Sequence, residues 1–532
     1  MKASITAILL LVSALQALST DRYRRETFMD VLKYSFTVEV SDTSDIIYGK
    51  ARIRVLFTGS ADTLLFDLRN RDAAGKGMVT DSIMYEAGGI TWHHSNNKIS
   101  VIPARRPQPG TEGIITIVYH GIPADGLIIS RNRFRARTFF SDNWPDRASN
   151  YLPCIDHPYD KAAVEFAVIA PFHYEVVGSG RLAEESHLDH GRKLTRWVEE
   201  VPLATKVMAF GAADFDLDLA GSPDSIPVWT YVFPGNRKEG YNDYSVAVKP
   251  FSFFIRLLGP YSYEKLANVQ SKTIFGGLEN AGCIFYSERS VTGLGKAEGL
   301  MAHEIAHQWF GNSVTENDWY HIWLSEGFAT YLAAVYMEKS YGRERFEQIM
   351  RADRDMILRY SEKSAAPVID TTIADLMRLL SINSYQKGSW VLHMLRNEIG
   401  DDVFWKGMRL YYARFRNRNA LTDDFREVME EVSGRNLTQF FRQWLYSSGQ
   451  PVLLIKRRND PGRNDQTEIT IEQRQPGLFG FPLELRIKTG KGDIDEKIMV
   501  TDRVTTITIP SAEVREIIPD PGVRLLFRMT DK

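Results

Sequence analysis

The stretch that most constrains this chain is Met301-Ala302-His303-Glu304-Ile305-Ala306-His307-Gln308-Trp309-Phe310-Gly311-Asn312. It contains H-E-x-x-H. On a helix, residues four apart share a face, so His303 and His307 present two imidazoles on one side. Met301, Ile305, Ala306, Trp309 and Phe310 surround them, so the helix reads as buried. Burying two histidines and a carboxylate costs free energy unless something compensates, and a zinc ion compensates all three. Glu304 sits too close to the first histidine to be a comfortable ligand. It is placed instead to take a proton from a water at the metal. A second acid, Glu326, follows after eighteen intervening residues, in Trp323-Leu324-Ser325-Glu326-Gly327-Phe328-Ala329-Thr330-Tyr331-Leu332. It would complete a His-His-Glu set and leave a fourth position for water, as in a catalytic rather than a closed structural site. Two ordinary histidines, one paired with Glu304, are the plainer alternative that these features argue against.

H-E-x-x-H, the eighteen-residue gap and a glutamate in W-L-x-E-G-F-A-T-Y resemble the aminopeptidase N family of gluzincin metallopeptidases. The resemblance runs from about Phe28 to the end of the chain, and further segments carry it. Ile274-Phe275-Gly276-Gly277-Leu278-Glu279-Asn280-Ala281-Gly282 places paired glycines after a strand. Glycines admit close backbone approach, and a strand edge can hydrogen-bond an extended peptide. Alone, the segment suits a turn with a surface glutamate. It resembles the family's G-x-M-E-N motif, with Leu278 replacing Met, apolar for apolar. That implies substrate binding by Gly276, Gly277, Glu279 and Asn280, with Glu279 on the free amine.

Ser384-Tyr385-Gln386-Lys387-Gly388 is similar to the family's Y-x-K-G segment. The similarity implies that Tyr385 donates its hydroxyl to an oxyanion; its apolar helical surroundings alone suit a core residue. Lys387 reads as structural. Upstream, Leu152-Pro153-Cys154-Ile155-Asp156-His157-Pro158 stands where relatives carry P-C-x-D-x-P. Relatives also carry a Gln or Glu, just before it, that helps to hold the substrate's amino end. Counted back from Pro153, those positions fall on Asp142 and Trp144. Asp142 keeps a carboxylate and is a candidate for amine binding, although its place between Ser141 and Asn143 also suits a turn. Trp144 could only line a side-chain pocket.

At 532 residues the chain is too long for one core. The expected architecture is multidomain α+β. A signal peptide at 1–19 precedes a large antiparallel sheet domain at 20–213, which resembles the family's N-terminal β saddle. A mainly helical catalytic domain, thermolysin-like as the resemblance implies, follows at 214–448, then a small C-terminal β-sandwich at 449–532. In the sandwich, alternation marks strands at Val452–Ile455, Thr467–Gln473, Phe481–Ile487, Ile498–Thr501, Val504–Ile509 and Leu525–Phe527. The leader reading rests on Lys2, the apolar run Ile5–Leu15 and Ala17-Leu18-Ser19, with cleavage before Thr20. That run is too short to span a bilayer, and export to the periplasm or medium is expected. Cys154 and Cys283 leave a disulfide open, and buried free thiols are the plainer reading.

A net charge of -2 gives no basic footprint for nucleic acid. The family resemblance implies a zinc-dependent aminopeptidase with one Zn2+ per chain and Glu304 as general base. Its substrates would be peptides with a free N-terminus. From the residues themselves, no segment after the leader reads as a membrane span. The same fold also serves epoxide hydrolysis and internal cleavage. A catalytically silent scaffold is a further alternative, but such a protein would be expected to have lost a ligand or Glu304.

Overall fold

Alternation of apolar and polar residues carries the first part of the chain into sheets. Ile47–Phe57 buries every second side chain, as a strand with one covered face must. The computed structural model describes residues 21–459, 466–511 and 513–531. The expected leader lies outside the described residues. The chain forms two compact units. One runs to Trp319 and takes in Tyr412–Leu421; the other comprises Tyr320–Tyr411 and the chain from Thr422 onward.

The first unit contains a seven-stranded sheet whose central strands are Ala162–Pro171, Met29–Glu39, Ile47–Phe57 and Glu112–Ile122. It departs from a wholly antiparallel expectation at one point. Met29–Glu39 and Ala162–Pro171 run parallel, with Phe36 opposite Phe166. Parallel neighbours need a long connection, and the intervening chain supplies it by building other strands on the way. A second, five-stranded sheet has Val228–Val232, Leu266–Ser271 and Cys283–Ser287 as parallel inner strands. The two-residue strand Gly277–Leu278 pairs antiparallel with Cys283–Ser287 and forms the edge. Cys154 and Cys283 are both buried and free.

In the second unit, helix Trp323–Tyr341 packs with Arg343–Ser361 and Gly388–Ile399. Gly342, at φ 90°, ends the first of these. The C-terminal part forms a four-stranded and a three-stranded sheet. The strand expected at Leu525–Phe527 is instead Arg528–Met529. Leu525, Leu526 and Phe527 are all buried, whereas consecutive strand residues face opposite sides. Val514–Pro519 is an additional strand with mostly exposed or half-buried residues, so its sequence carries little alternation. Among the described residues no helix is long and apolar enough to cross a membrane.

One ion pair lies deep in the first unit. The Lys206 ammonium pairs with Glu316 at side-chain exposures of 1% and 0%, and lies 5.6 Å over the Trp319 ring. Burial raises the Glu316 pKa, opposed by Lys206. Removing one partner of such a pair strands the other charge and typically costs about 3–5 kcal/mol. Lys206→Met is therefore expected to lower the urea midpoint of the purified protein clearly, and Lys206→Met with Glu316→Leu to recover part of the loss. A single variant as stable as the parent would show that the pair contributes little.

Candidate active site

The site grows from the end of one short helix, α1 (Glu298–Ala306). His307 closes its last turn with helical φ -56° and ψ -26°. The expected one-face placement of His303 and His307 follows: their Nε2 atoms are 3.1 Å apart. His307 Nδ1 lies 3.2 Å from the Phe310 carbonyl. A proton on Nδ1, donated to that carbonyl, leaves the Nε2 lone pair facing His303. Gly311, at φ 119°, then turns the chain back, and its N–H donates to the Val314 carbonyl.

Glu326 stands on α2 (Trp323–Tyr341) and is 3% exposed. His303, His307 and Glu326 each offer one ligand atom, and these atoms all lie within 4.8 Å of one another. Two imidazole nitrogens and a carboxylate oxygen are a donor set that zinc accepts. Two Zn–N bonds at a tetrahedral angle put their nitrogens about 3.4 Å apart, close to the spacing seen. The cluster could thus bind a metal ion.

Glu304 is 5% exposed. A Cβ added to Gly277 would fall 2.3 Å from its Oε1 and 2.4 Å from its carboxyl carbon. The glycine expected to admit a substrate backbone is thus also the space in which the Glu304 carboxylate rests. Gly276 is different: an added Cβ there meets only a Leu300 methyl group, at 3.9 Å. The edge strand leads straight into Glu279, which is 5% exposed. Its Oε1 is buried with no hydrogen-bond partner among the described residues. Both side-chain polar atoms of Asn280 are in the same condition.

The backbone at Glu279 is fixed by residues that motif reading passed over. Gln308 Nε2 and Asn312 Nδ2 both donate to the Glu279 carbonyl, at 3.0 and 2.6 Å. Lys161 Nζ donates to the carbonyls of Asn312 and Ser313, at 3.0 and 2.8 Å. Burial pushes the Lys161 pKa down to about 7. Gln308 and Asn312 were open to detection, since both are polar residues within a run otherwise destined for the core. Lys161 carries no comparable local signal.

For Asp142 the sequence left amine binding and a turn role both open. Its side chain is fully buried and its oxygens are already engaged within the chain. One carboxylate oxygen pairs with Arg147. The other accepts from Thr273 Oγ1 at 2.8 Å and from the Ile274 N–H at 3.2 Å. The oxygens considered for a substrate's amine are bonded to this protein instead. Trp144 is buried against Phe275 and Trp319, edge to face.

Tyr385 is half-buried in a single π-helical turn, Asn383–Lys387, which leads into α3 (Gly388–Ile399). Such turns recur at functional sites. Lys387 Nζ donates to the Gly449 carbonyl at 2.8 Å, a structural bond. Gly327, next to Glu326, meets Gly388, three residues after Tyr385. A Cβ on Gly327 would sit 3.0 Å from the Gly388 backbone. The segments bearing Glu326 and Tyr385 thus meet main chain to main chain.

Comparison with known proteins matches the Peptidase M1 N-terminal domain to residues 31–207 and the Peptidase family M1 domain to residues 244–444. Glutamyl aminopeptidase of Rattus norvegicus is 26% identical over 367 residues, covering 65% of this chain and 39% of that protein. The Sus scrofa enzyme of the same name is 29% identical over 336 residues, covering 59% and 35%. The chain spans well under half the length of these relatives. A crystal structure of Legionella pneumophila aminopeptidase A in complex with aspartic acid superposes with a TM-score of 0.81 at 17% identity, covering 96% of this chain and 60% of that one. That likeness establishes the multidomain α+β fold.

The contact between Gly277 and Glu304 yields a specific expectation. Alanine at 277 requires no unusual backbone angle, but its methyl group needs the volume of the Glu304 carboxylate. On the expectation that Glu304 serves as general base beside a bound zinc, Gly277→Ala should fold, keep the metal and lose about 10²-fold or more in peptide hydrolysis, the scale of a displaced general base. Metal analysis and kcat measured on one preparation check this. Parental activity would mean that Glu304 moves aside without consequence.

Proposed function

This chain belongs to peptidase family M1, and from that membership we propose that it is a zinc-dependent aminopeptidase, a hydrolase that removes the N-terminal residue of peptides. The observation that carries the reading is Glu279: a buried carboxylate with an unpartnered oxygen, directly after an edge strand. A buried charge without a partner is costly, and a substrate's ammonium supplies one. His303, His307 and Glu326 would hold the zinc, one ion per chain. The metal when bound supplies a Lewis acid that polarises the scissile carbonyl and lowers the pKa of water.

The protein's own groups do the rest. Gly277–Leu278 takes the substrate backbone as an added strand. Glu279 accepts from its free ammonium, with Asn280 alongside. That ammonium lies one residue from the scissile carbonyl, so a carboxylate fixed there selects peptides by their end. Glu304 accepts the proton of the attacking water and passes a proton to the leaving amine. Tyr385 donates its hydroxyl to the oxygen that becomes anionic. Internal cleavage would leave the burial of Glu279 without a purpose. The leader reading supports export to the periplasm or medium, where a chain beginning at Thr20 is expected on N-terminal sequencing of protein from its native host.

The side chain preferred at the N-terminus is open to a panel of aminoacyl-arylamides, with and without a chelator. Glutamyl and aspartyl members belong in it because of the names of the relatives and the aspartic acid bound to the Legionella enzyme. Glu304→Gln is expected to keep zinc and to lower kcat by about 10²-fold or more. Glu279→Gln is expected to keep zinc and to lower kcat/KM for free-amine peptides by roughly 10- to 100-fold, the worth of a charge-assisted bond. N-acetylated peptides never make that bond, so the ratio of free to acetylated cleavage should fall with it. An unchanged ratio with zinc retained would leave the aminopeptidase reading without its main support.

A further inference from the structure

The segment that carries Glu279 hangs between two strands and is stitched at every step. Ser271, the last residue of the strand Leu266–Ser271, accepts the Thr273 N–H on its hydroxyl at 3.2 Å. Thr273 Oγ1 in turn accepts the Phe275 N–H at 3.3 Å. The Gly276 carbonyl accepts from the Ser287 N–H at 3.0 Å. Then come the edge strand Gly277–Leu278 and Glu279. Between Ser271 and Gly276, Lys272 pairs with Glu288 at 2.6 Å, and Thr273 and Ile274 both donate to the carboxylate of Asp142.

Asp142 is itself rigidly mounted. Its N–H donates to the Gly126 carbonyl at 2.7 Å. Its partner Arg147 also pairs with Asp125 at 3.0 Å and donates from Nε to the Trp144 carbonyl at 2.7 Å. The Arg147 guanidinium lies 5.8 Å over the Phe275 ring, within the segment that Asp142 grips. A group made to meet substrate would keep an oxygen free. Asp142 instead accepts at one oxygen from Arg147 and at the other from two donors of residues 273–274.

We propose that Asp142 is a positioning residue: with Arg147 it clamps Thr273 and Ile274, and through them sets the edge strand and Glu279, without touching the substrate. The inference rests on the reading of Glu279 as the amine-binding group. It departs from amine binding by Asp142 itself, and the two assignments give opposite results at Thr273. If Asp142 touched the ammonium, the Thr273 hydroxyl would be irrelevant to selection. If Asp142 acts through the clamp, removing that hydroxyl imitates removing the carboxylate.

The test compares Asp142→Asn, Thr273→Val, Thr273→Ser and the Asp142→Asn/Thr273→Val pair, all in the full-length protein. Two readouts are taken. Amide hydrogen exchange over residues 273–280, followed by mass spectrometry, reads the clamp in the resting protein without reference to activity. The ratio of kcat/KM for free-amine and N-acetylated peptides reads the position of Glu279. Asp142→Asn and Thr273→Val are each expected to speed exchange in that segment and to lower the ratio by about three- to tenfold, on the scale of one hydrogen bond. The pair should show much less than the product of the two effects, because both break one link. Thr273→Ser should restore both readouts.

Exchange left at the parental rate in both single variants overturns the clamp. A ratio lowered by Asp142→Asn but not by Thr273→Val overturns the positioning role in favour of direct contact. Faster exchange with an unmoved ratio removes the link to Glu279. Failure of the aminopeptidase reading is separately visible as an unmoved ratio in Glu279→Gln, and in that case exchange alone decides whether the clamp exists.

Discussion

Two side-chain amides hold one carbonyl, and the arrangement of the first unit depends on them. Gln308 and Asn312 follow directly from the helix that carries His303, Glu304 and His307, and both donate to the carbonyl of Glu279. Helix and edge strand are separate elements with no backbone ladder in common. These bonds supply a fixed spacing between the histidines and the buried carboxylate. Under the proposed aminopeptidase reading that spacing matters more than any single group, because the distance from ammonium to scissile bond is set by covalent geometry. Gly277 adds a steric limit to the same spacing, since only a residue without a side chain can lie so close to Glu304.

Support for this arrangement comes from the N-terminal β domain. Asp142 reaches Thr273 and Ile274, Lys161 reaches Asn312 and Ser313, and Lys206 pairs with Glu316. All three side chains are buried or bonded to buried groups, where hydrogen bonds and ion pairs fix geometry at a high cost of disruption. The β domain is therefore part of the machinery that holds the site. Truncating it would do more than remove a neighbour.

The pairing of the two histidines on one helix face was legible in the sequence because a periodic motif inside an apolar run leaves few alternatives. The burial of Glu279 beside an edge strand was not, since a glutamate after two glycines suits any turn. The sheets were legible from alternation, and the parallel pairing of Met29–Glu39 with Ala162–Pro171 was not. Alternation shows which residues face inward and says nothing about a neighbour's direction. Leu525–Phe527 imitated a strand by apolarity alone, whereas Val514–Pro519 lacked the pattern because most of its residues are not deeply buried. The bonds of Asp142 to Thr273 and Ile274 were hidden for a different reason: those two residues lie more than a hundred positions away, and position within a motif carries no record of what a side chain meets.

The meeting of Gly327 with Gly388 has a consequence for how the second unit responds to disturbance. Neither residue has a rotamer, so this joint has no alternative side-chain states to populate on warming. Its separation is set by main-chain atoms in contact, which yield far less than packed methyl groups. A large-to-small change elsewhere in the helical core would let neighbouring side chains relax into the space. At this point there is nothing to relax. Glu326 and Tyr385 thus inherit their relative placement from a stiff backbone joint, insulated from drift in the surrounding core.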